Sequence, residues 1–307
     1  FFRISLLKKI FAFSISILLG FTFYIYGNYA INQNQSNSSL IKNYFEIKII
    51  SPNFELEYGL SKKQIKKRLE KLIRYSDPIG TSKTLFIWPE GVFSGFNYEE
   101  IVFLKKIFLD NFHENHFILF GVSKANYSKS GVYNTLVVVD NNMKIIREYR
   151  KQKLVPFGEF LPIEKQLNKF GLKKITEGYG SFLKGNNQKN LVFDNLNILP
   201  LICYEIIFTK FVQNSEEDTN LIINISEDGW FGNSIGPHQH FAKAIFRAIE
   251  QNTYVLRSAN KGISAIINNK GEIEKMLKPD EVGSIELNVP LINNKNKNKN
   301  DLIFLVL

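Results

Sequence analysis

Leu196-Asn197-Ile198-Leu199-Pro200-Leu201-Ile202-Cys203-Tyr204-Glu205 is the stretch on which the reading of this chain turns. An apolar run of strand length ends at Cys203, the only cysteine in 307 residues, and Tyr204–Gln213 beyond it carries a helical pattern. A strand that runs straight into a helix exposes the side chain at the elbow. It also sets that side chain near backbone N–H groups and the positive end of a helix dipole, which predicts a depressed thiol pKa. The polar pair Tyr204-Glu205 suits a reactive thiol better than a small core residue.

Two more strand ends, working outward, carry one reactive side chain each. Leu85-Phe86-Ile87-Trp88 leads through Pro89 to Glu90, and Ile145–Tyr149 leads through Arg150 to Lys151. Layered α/β folds gather their sites at such ends. A carboxylate that takes a proton, an ammonium that faces developing negative charge and a thiol are the parts of nucleophilic acyl transfer through a covalent intermediate. Singly, each has an ordinary explanation as a loop carboxylate, a solvated lysine or a core thiol. Their order and shared placement carry the reading.

Between Phe45 and Val289 β-rich apolar runs alternate with amphipathic stretches, the pattern of a layered α/β domain. Strands are expected at Phe45–Ile50, Thr84–Trp88, Phe117–Val122, Thr135–Val139, Ile145–Tyr149, Leu196–Ile202, Leu221–Ile225, Tyr254–Arg257, Ser264–Ile267 and Gly283–Leu287. Helices are expected at Ser61–Tyr75, Tyr98–Phe112, Tyr204–Gln213 and Pro237–Asn252, the last with Pro237 at its start. Asp140-Asn141-Asn142 separates two alternating runs and predicts a hairpin, so the sheet is expected to be mixed. No internal repeat is evident. Phe160–Gly185 fits neither period and mixes Phe, Leu and Tyr with Lys165, Lys169, Lys173 and Lys174, which predicts a loop that dips into a membrane or folds over its own core.

The start is the other informative region. Ile10–Tyr26 is nearly unbroken in apolar character, follows Arg3, Lys8 and Lys9, and precedes the polar run Asn32–Ser39. It is long enough to cross a bilayer, and its flanking charge predicts the N-terminus inside and the main domain outside. A cleaved signal peptide competes with this, but the run exceeds a usual signal core and lacks a small-x-small site. The expected organisation is a membrane helix with a basic flank over 1–30, a polar linker over 31–43, one catalytic domain over 44–290, and a basic linker with the start of a truncated apolar segment over 291–307. Beginning at Phe1 and stopping within the apolar run Leu302–Leu307, the chain reads as an excerpt of a longer membrane protein.

Lys and Arg number 39 against 29 Asp and Glu, a net +10. The basic residues form no stripe interleaved with aromatics, which argues against nucleic acid and for an anionic membrane surface. His238 and His240 could supply two metal ligands, but His113 and His116 fall in a different segment and no Cys pair joins them, and no Gly-rich phosphate loop precedes a helix. Neither a metal nor a cofactor is indicated.

Glu, Lys and Cys in this order, each closing a strand, resemble the nitrilase superfamily. The wording around them resembles one of its branches, the apolipoprotein N-acyltransferases of bacterial envelopes. The matching words are Trp88-Pro89-Glu90, Tyr149-Arg150-Lys151 running into Leu154-Val155-Pro156-Phe157-Gly158-Glu159-Phe160-Leu161-Pro162, Ile202-Cys203-Tyr204-Glu205, Asp228-Gly229-Trp230-Phe231-Gly232, Gly236-Pro237, Gln239-His240 and Arg247-Ala248-Ile249-Glu250.

The resemblance implies an α/β fold, an αββα sandwich preceded by one transmembrane helix. It implies Cys203 as nucleophile, Glu90 as general base and Lys151 as oxyanion stabiliser, with Glu159, Tyr204 and Glu205 in support and Trp230 and Phe231 as lining or core. It further implies a phospholipid acyl donor, an apolipoprotein acceptor and no cofactor, at the outer, periplasmic face of the cytoplasmic membrane. The competing readings are a tethered amidase with water as acceptor and a silent envelope scaffold. Three positions depart from the branch: Glu227 stands where Asn is more frequent, Ser51 where Gln is usual, and Gly91 where Thr or Ser is common.

Overall fold

The computed structural model describes residues 5–36, 39–41, 45–57, 59–162, 181–186, 190–213 and 218–293. Strands β2 (Glu46–Ser51), β3 (Thr84–Ile87) and β4 (His116–Asn126) run parallel, and β5 (Gly131–Val139) and β6 (Ile145–Arg150) extend the sheet antiparallel. On its other edge β13 (Gly283–Leu287) pairs antiparallel with β2. The second sheet repeats the scheme. There β8 (Leu196–Ile202), β9 (Leu221–Glu227) and β10 (Val255–Asn260) run parallel, β11 (Ser264–Ile267) and β12 (Ile273–Leu277) follow antiparallel, and β7 (Leu191–Phe193) closes the far edge. A separate ribbon joins β1 (Ser39–Ile41) to β14 (Leu291–Asn293). The two halves thus share one strand order, although no repeat is visible in the sequence.

Both faces of each sheet are covered, and the period-2 alternation of the strands shows how. Ile47, Ile49, Leu85, Ile87, Leu119, Leu136 and Val138 of the first sheet meet Leu196, Ile198, Leu221, Ile223, Ile225 and Leu256 of the second in one central core. The intervening residues Phe86, Trp88, Ile118 and Phe120 point outward, under α2 (Lys62–Ser76), α3 (Tyr98–Ile101) and α4 (Lys105–Asn111). Likewise Leu201, Ile222, Val255 and Ala265 pack under α6 (Gly236–Gln251). The result is the expected αββα sandwich. Trp88 anchors the outer layer among Phe93, Phe108, Phe112 and Phe120, and its indole N–H donates to Ser76 Oγ at 2.9 Å.

Two expected helices are broken. Tyr98–Phe112 splits at a 3-10 turn over Val102–Leu104. Tyr204–Gln213 is a 3-10 turn over Cys203–Ile207, an extended Phe208, and only then a short helix, α5 (Thr209–Gln213). The cause of the second break is Glu205, whose carboxylate turns back onto the end of β8 instead of facing outward as a helical residue would. Sequence periodicity also misses β12, whose Ile-Glu-Lys-Met-Leu is exposed along most of its length as an edge strand. The Asp140 turn does form its hairpin, with Asp140 Oδ1 accepting from the amides of Asn142 and Lys144 at 2.9 and 2.8 Å.

Helix α1 runs from Leu6 to Ser36. Within its stretch Leu6–Asn34 the most apolar window has a mean hydropathy of 1.8 and none of that window is buried, so the helix is long and apolar enough to cross a membrane. Asn34 Nδ2 donates to Ile249 O at 2.9 Å, tying the end of α1 to the end of α6. Of the apolar, lysine-bearing loop, residues 163–180 lie outside the described residues. Its return does not: Phe182 N donates to Glu159 O, Leu183 N to Val132 O and Gly185 N to Lys151 O, at 2.8, 2.7 and 2.8 Å.

Candidate active site

The C-terminal ends of the parallel strands open onto a cleft of about 460 Å³ that contains Glu90, Lys151 and Cys203 together. Glu159, Tyr204, Trp230 and Phe231 line the same cleft, so of the sequence-predicted residues only Glu205 lies behind it. Trp230 and Phe231 are 47% and 38% exposed and form part of an apolar lip with Val155, Pro156 and Phe182. They are lining rather than core.

Cys203 takes a left-handed backbone with φ +50° directly after β8. A non-glycine residue pays roughly 1–2 kcal/mol for that conformation, and it persists only where its surroundings fix it. Glu205 does the fixing. Its Oε2 accepts from Ile202 N at 2.9 Å, and its Oε1 accepts from Tyr149 OH, Gln152 N and Lys153 N at 2.9, 2.7 and 3.0 Å. One fully buried carboxyl therefore binds the strand end that bears the thiol to the strand end that bears Lys151. Burial raises its pKa to about 7 against the pull of those N–H groups.

From the other side His240 Nε2 lies 3.2 Å from Cys203 O, and its Nδ1 lies 3.0 Å from Asp228 Oδ1. Arg257 Nη2 donates to Asp228 Oδ2 at 2.7 Å. Burial works against the charge on Asp228, but Arg257 and the His240 contact outweigh it and hold the pKa at about 2. Burial and the Arg257 cation keep His240 below the ordinary imidazole range, and its ring braces the elbow between Cys203 O and Asp228.

Glu90 and Lys151 share a network. Asn134 Nδ2 donates to Glu90 Oε1 at 2.7 Å and to Glu159 Oε1 at 2.9 Å. Glu227 N donates to Glu90 Oε2 at 3.0 Å. Lys151 Nζ stands 2.8 Å from Glu159 Oε1 and 3.7 Å from Glu90 Oε1. Burial alone would strip the Lys151 proton, but Glu159, Glu90 and the thiol more than offset it and hold the pKa above the ordinary lysine range. The ammonium is thus permanently charged in a dry setting, where it acts strongly on nearby negative charge.

The thiol departs from expectation. Cys203 is only part-buried as a residue, yet its sulfur is surrounded by protein, and that burial, with Glu90 adding to it, raises the pKa to about 12 despite Lys151. A five-residue 3-10 turn supplies too little dipole to reverse the cost of burying a thiolate. The resting group is a thiol, which makes a neighbouring base necessary.

Sequence reasoning missed Asn134 and the Asp228–His240–Arg257 group. A lone Asn at the head of a Val-rich run and a His one turn into a helix were the available signals.

The carbon–nitrogen hydrolase family pattern matches residues 66–292. The chain belongs to the carbon–nitrogen hydrolase family. Proteins named apolipoprotein N-acyltransferase align with this family member along much of its length. That of Rhizobium leguminosarum bv. trifolii is 37% identical over 215 residues, 68% of this chain and 40% of the relative. That of Wigglesworthia glossinidia brevipalpis is 36% identical over 244 residues, 76% of this chain and 47% of the relative. That of Rickettsia typhi is 33% identical over 282 residues, 90% of this chain and 54% of the relative. The chain therefore spans about half the length of these relatives or less.

Among solved structures, Saccharomyces cerevisiae Nit3 of the nitrilase superfamily superposes with a TM-score of 0.57 at 15% identity, covering 79% of this chain and 89% of Nit3. A mutant amidase from Nesterenkonia, carrying the acetamide moiety of fluoroacetamide on its active-site cysteine, gives 0.57 at 15% identity, covering 87% of this chain and 98% of the amidase. At that identity the likeness is one of fold.

Proposed function

We propose that this chain is the catalytic part of a membrane N-acyltransferase. It moves a fatty-acyl chain from a phospholipid, through a thioester on Cys203, to the N-terminal amine of an S-diacylglyceryl-cysteine apolipoprotein. The observation that carries the reading is the convergence of Cys203, Glu90 and Lys151 at the floor of an apolar-lipped cleft, in a chain whose relatives bear that activity's name. Glu90 takes the thiol proton as Sγ attacks the donor ester carbonyl, and the oxyanion is met by Lys151 and backbone N–H groups beside Cys203. The C–O bond breaks, Glu90 returns the proton to the leaving lysophospholipid oxygen, and the thioester remains. The acceptor amine then attacks it, the C–S bond breaks, and the thiol is regenerated.

Residues 1–30 form the membrane segment in this proposal, 31–43 link it to the catalytic domain over 44–290, and 291–307 comprise a basic linker and an apolar run. The domain lies on the periplasmic face of the cytoplasmic membrane, where tethering holds the site at the depth of its lipid substrates. Intact-protein mass spectrometry of the full-length enzyme, incubated with phospholipid vesicles beside a Cys203→Ala control, tests it. A fatty-acyl mass on the Cys203 form alone, discharged by a lipopeptide amine, supports the proposal. Turnover of small amides without a lipid adduct replaces it with a tethered amidase that uses water.

A further inference from the structure

Glu227 closes β9 as Glu90, Lys151 and Cys203 follow their own strands, and it faces the same cleft while 6% exposed. Its Oε1 accepts from Gly229 N at 2.9 Å and its Oε2 from Asn260 Nδ2 at 2.8 Å. Each oxygen has one protein donor and retains capacity for another. Gly91 stands against it: a Cβ there would sit 3.3 Å from Glu227 Oε2, at a backbone φ of +73°. Gly91 and Glu227 are therefore neighbours, and the small residue leaves the cleft side of the larger one open.

We propose that Glu227 receives the α-amino group of the acyl acceptor, holding it beside the Cys203 thioester and taking its excess proton. This rests on the acyl-transfer reading of the site and names the group that serves its second half. The acceptor arrives largely as an ammonium ion, which cannot attack a carbonyl. Transfer of one N–H proton to Glu227 gives the free amine. That amine forms the C–N bond, its second departing proton passes by way of Glu90 to the Cys203 sulfur as the C–S bond breaks, and the proton on Glu227 leaves to water through the cleft. Charge and protons balance without a further reagent.

The surroundings fit a group that exchanges a proton with an amine. Burial, opposed by the Asn260 and Gly229 hydrogen bonds and reinforced by Glu90 and Asp228, raises Glu227 to about 8, and an α-amino group titrates at about 7.7–8.0. The other charges about it are committed elsewhere. Arg68 from α2 donates to Glu57 Oε2 and Glu55 O at 3.1 and 2.8 Å, Lys261 after β10 pairs with Glu55, and Asp228 holds Arg257. Among the described residues, no dedicated cation competes with an arriving ammonium for the carboxyl.

The test uses the full-length enzyme in phospholipid vesicles and a synthetic diacylglyceryl-cysteine lipopeptide with a free α-amine. Thioester formation is read first by intact mass, and its discharge is then followed in a single turnover across pH 6–9. Glu227→Gln is expected to form the thioester to the wild-type extent but to discharge it about ten- to a hundredfold more slowly, the range for losing a charged hydrogen-bond partner. Its rate should climb with the amine's own titration where the wild type has levelled off, and Glu227→Asp should restore part of the loss. Wild-type discharge and pH profile in Glu227→Gln overturn the inference, as does a variant that forms no thioester while Glu227→Asp behaves likewise. Absence of a thioester in the wild type sinks the acyl-transfer reading and this one with it.

Discussion

Lys151 Nζ is 2.8 Å from Glu159 Oε1, nearer than to any oxygen of Glu90, so the cation belongs first to Glu159. Glu159 is itself pinned by Val155 N and Asn134 Nδ2, both at 2.9 Å. The arrangement keeps Lys151 from pairing closely with Glu90 and holds it at a fixed point. Glu159→Gln leaves the buried ammonium to swing toward Glu90. We expect at least about a hundredfold loss of thioester formation, and a stability loss of about 3 kcal/mol for breaking a buried pair. Acyl-enzyme kinetics and urea unfolding read the two effects separately.

Gly185 sits where a Cβ would collide with Arg150 O and lie 2.8 Å from Arg150 C. Its amide also holds Lys151 O, so nothing bulkier fits without displacing the backbone that aims Lys151. Gly185→Ala should cost about 1–3 kcal/mol by overpacking and lower thioester formation about tenfold or more. Wild-type kinetics in this variant would show that the return of the loop does not set the lysine.

The salt bridge and hydrogen bonds that hold Asp228 near pKa 2, below the 3.8 of an ordinary aspartate, make its contribution to stability pH-dependent. A depressed folded value means the contribution is present above about pH 4 and is lost as pH falls toward 2. Asp228→Asn should therefore be less stable than wild type by a constant margin at neutral pH. That margin should narrow by about 2 kcal/mol toward pH 2. Urea titrations of both proteins at matched pH measure the difference, in which titrating groups remote from Asp228 cancel while His240, in contact with it, adds its own change.

How much of this was legible beforehand follows from the range of each interaction. Leu196–Ile202, Ser264–Ile267 and Gly283–Leu287 form strands with the expected bounds because the residues that mark a strand lie within the strand itself. The placement of Glu90, Lys151 and Cys203 at strand ends could be read for the same reason. Asn134 could not, because what marks it is two carboxylates that are 44 and 25 residues away in sequence. The Cys203 pKa moves opposite to the sequence-based expectation. A helix dipole can be inferred from Tyr204–Gln213, but the break at Phe208 is set by Glu205 reaching the Tyr149 and Gln152 segment across the sandwich. The matching strand orders of the two halves rest on pairings of the same long range.

On the proposed mechanism the thiol and Glu90 make opposite predictions for two chemistries, and this separates catalysis from simple reactivity. Burial and the Glu90 carboxylate both raise Cys203, to about 12, while Lys151 lowers it. Alkylation by iodoacetamide, which needs only thiolate, should therefore be slow at about pH 7 and still rising about tenfold per pH unit above about pH 9. Glu90→Gln removes a negative charge, so it should speed alkylation while lowering thioester formation about a hundredfold or more through loss of the base. Lys151→Met should slow both, since it removes the charge that favours thiolate and oxyanion alike. If Glu90→Gln slowed alkylation and acyl transfer equally, Glu90 would be acting by holding the thiol in place, and another group would have to take the proton.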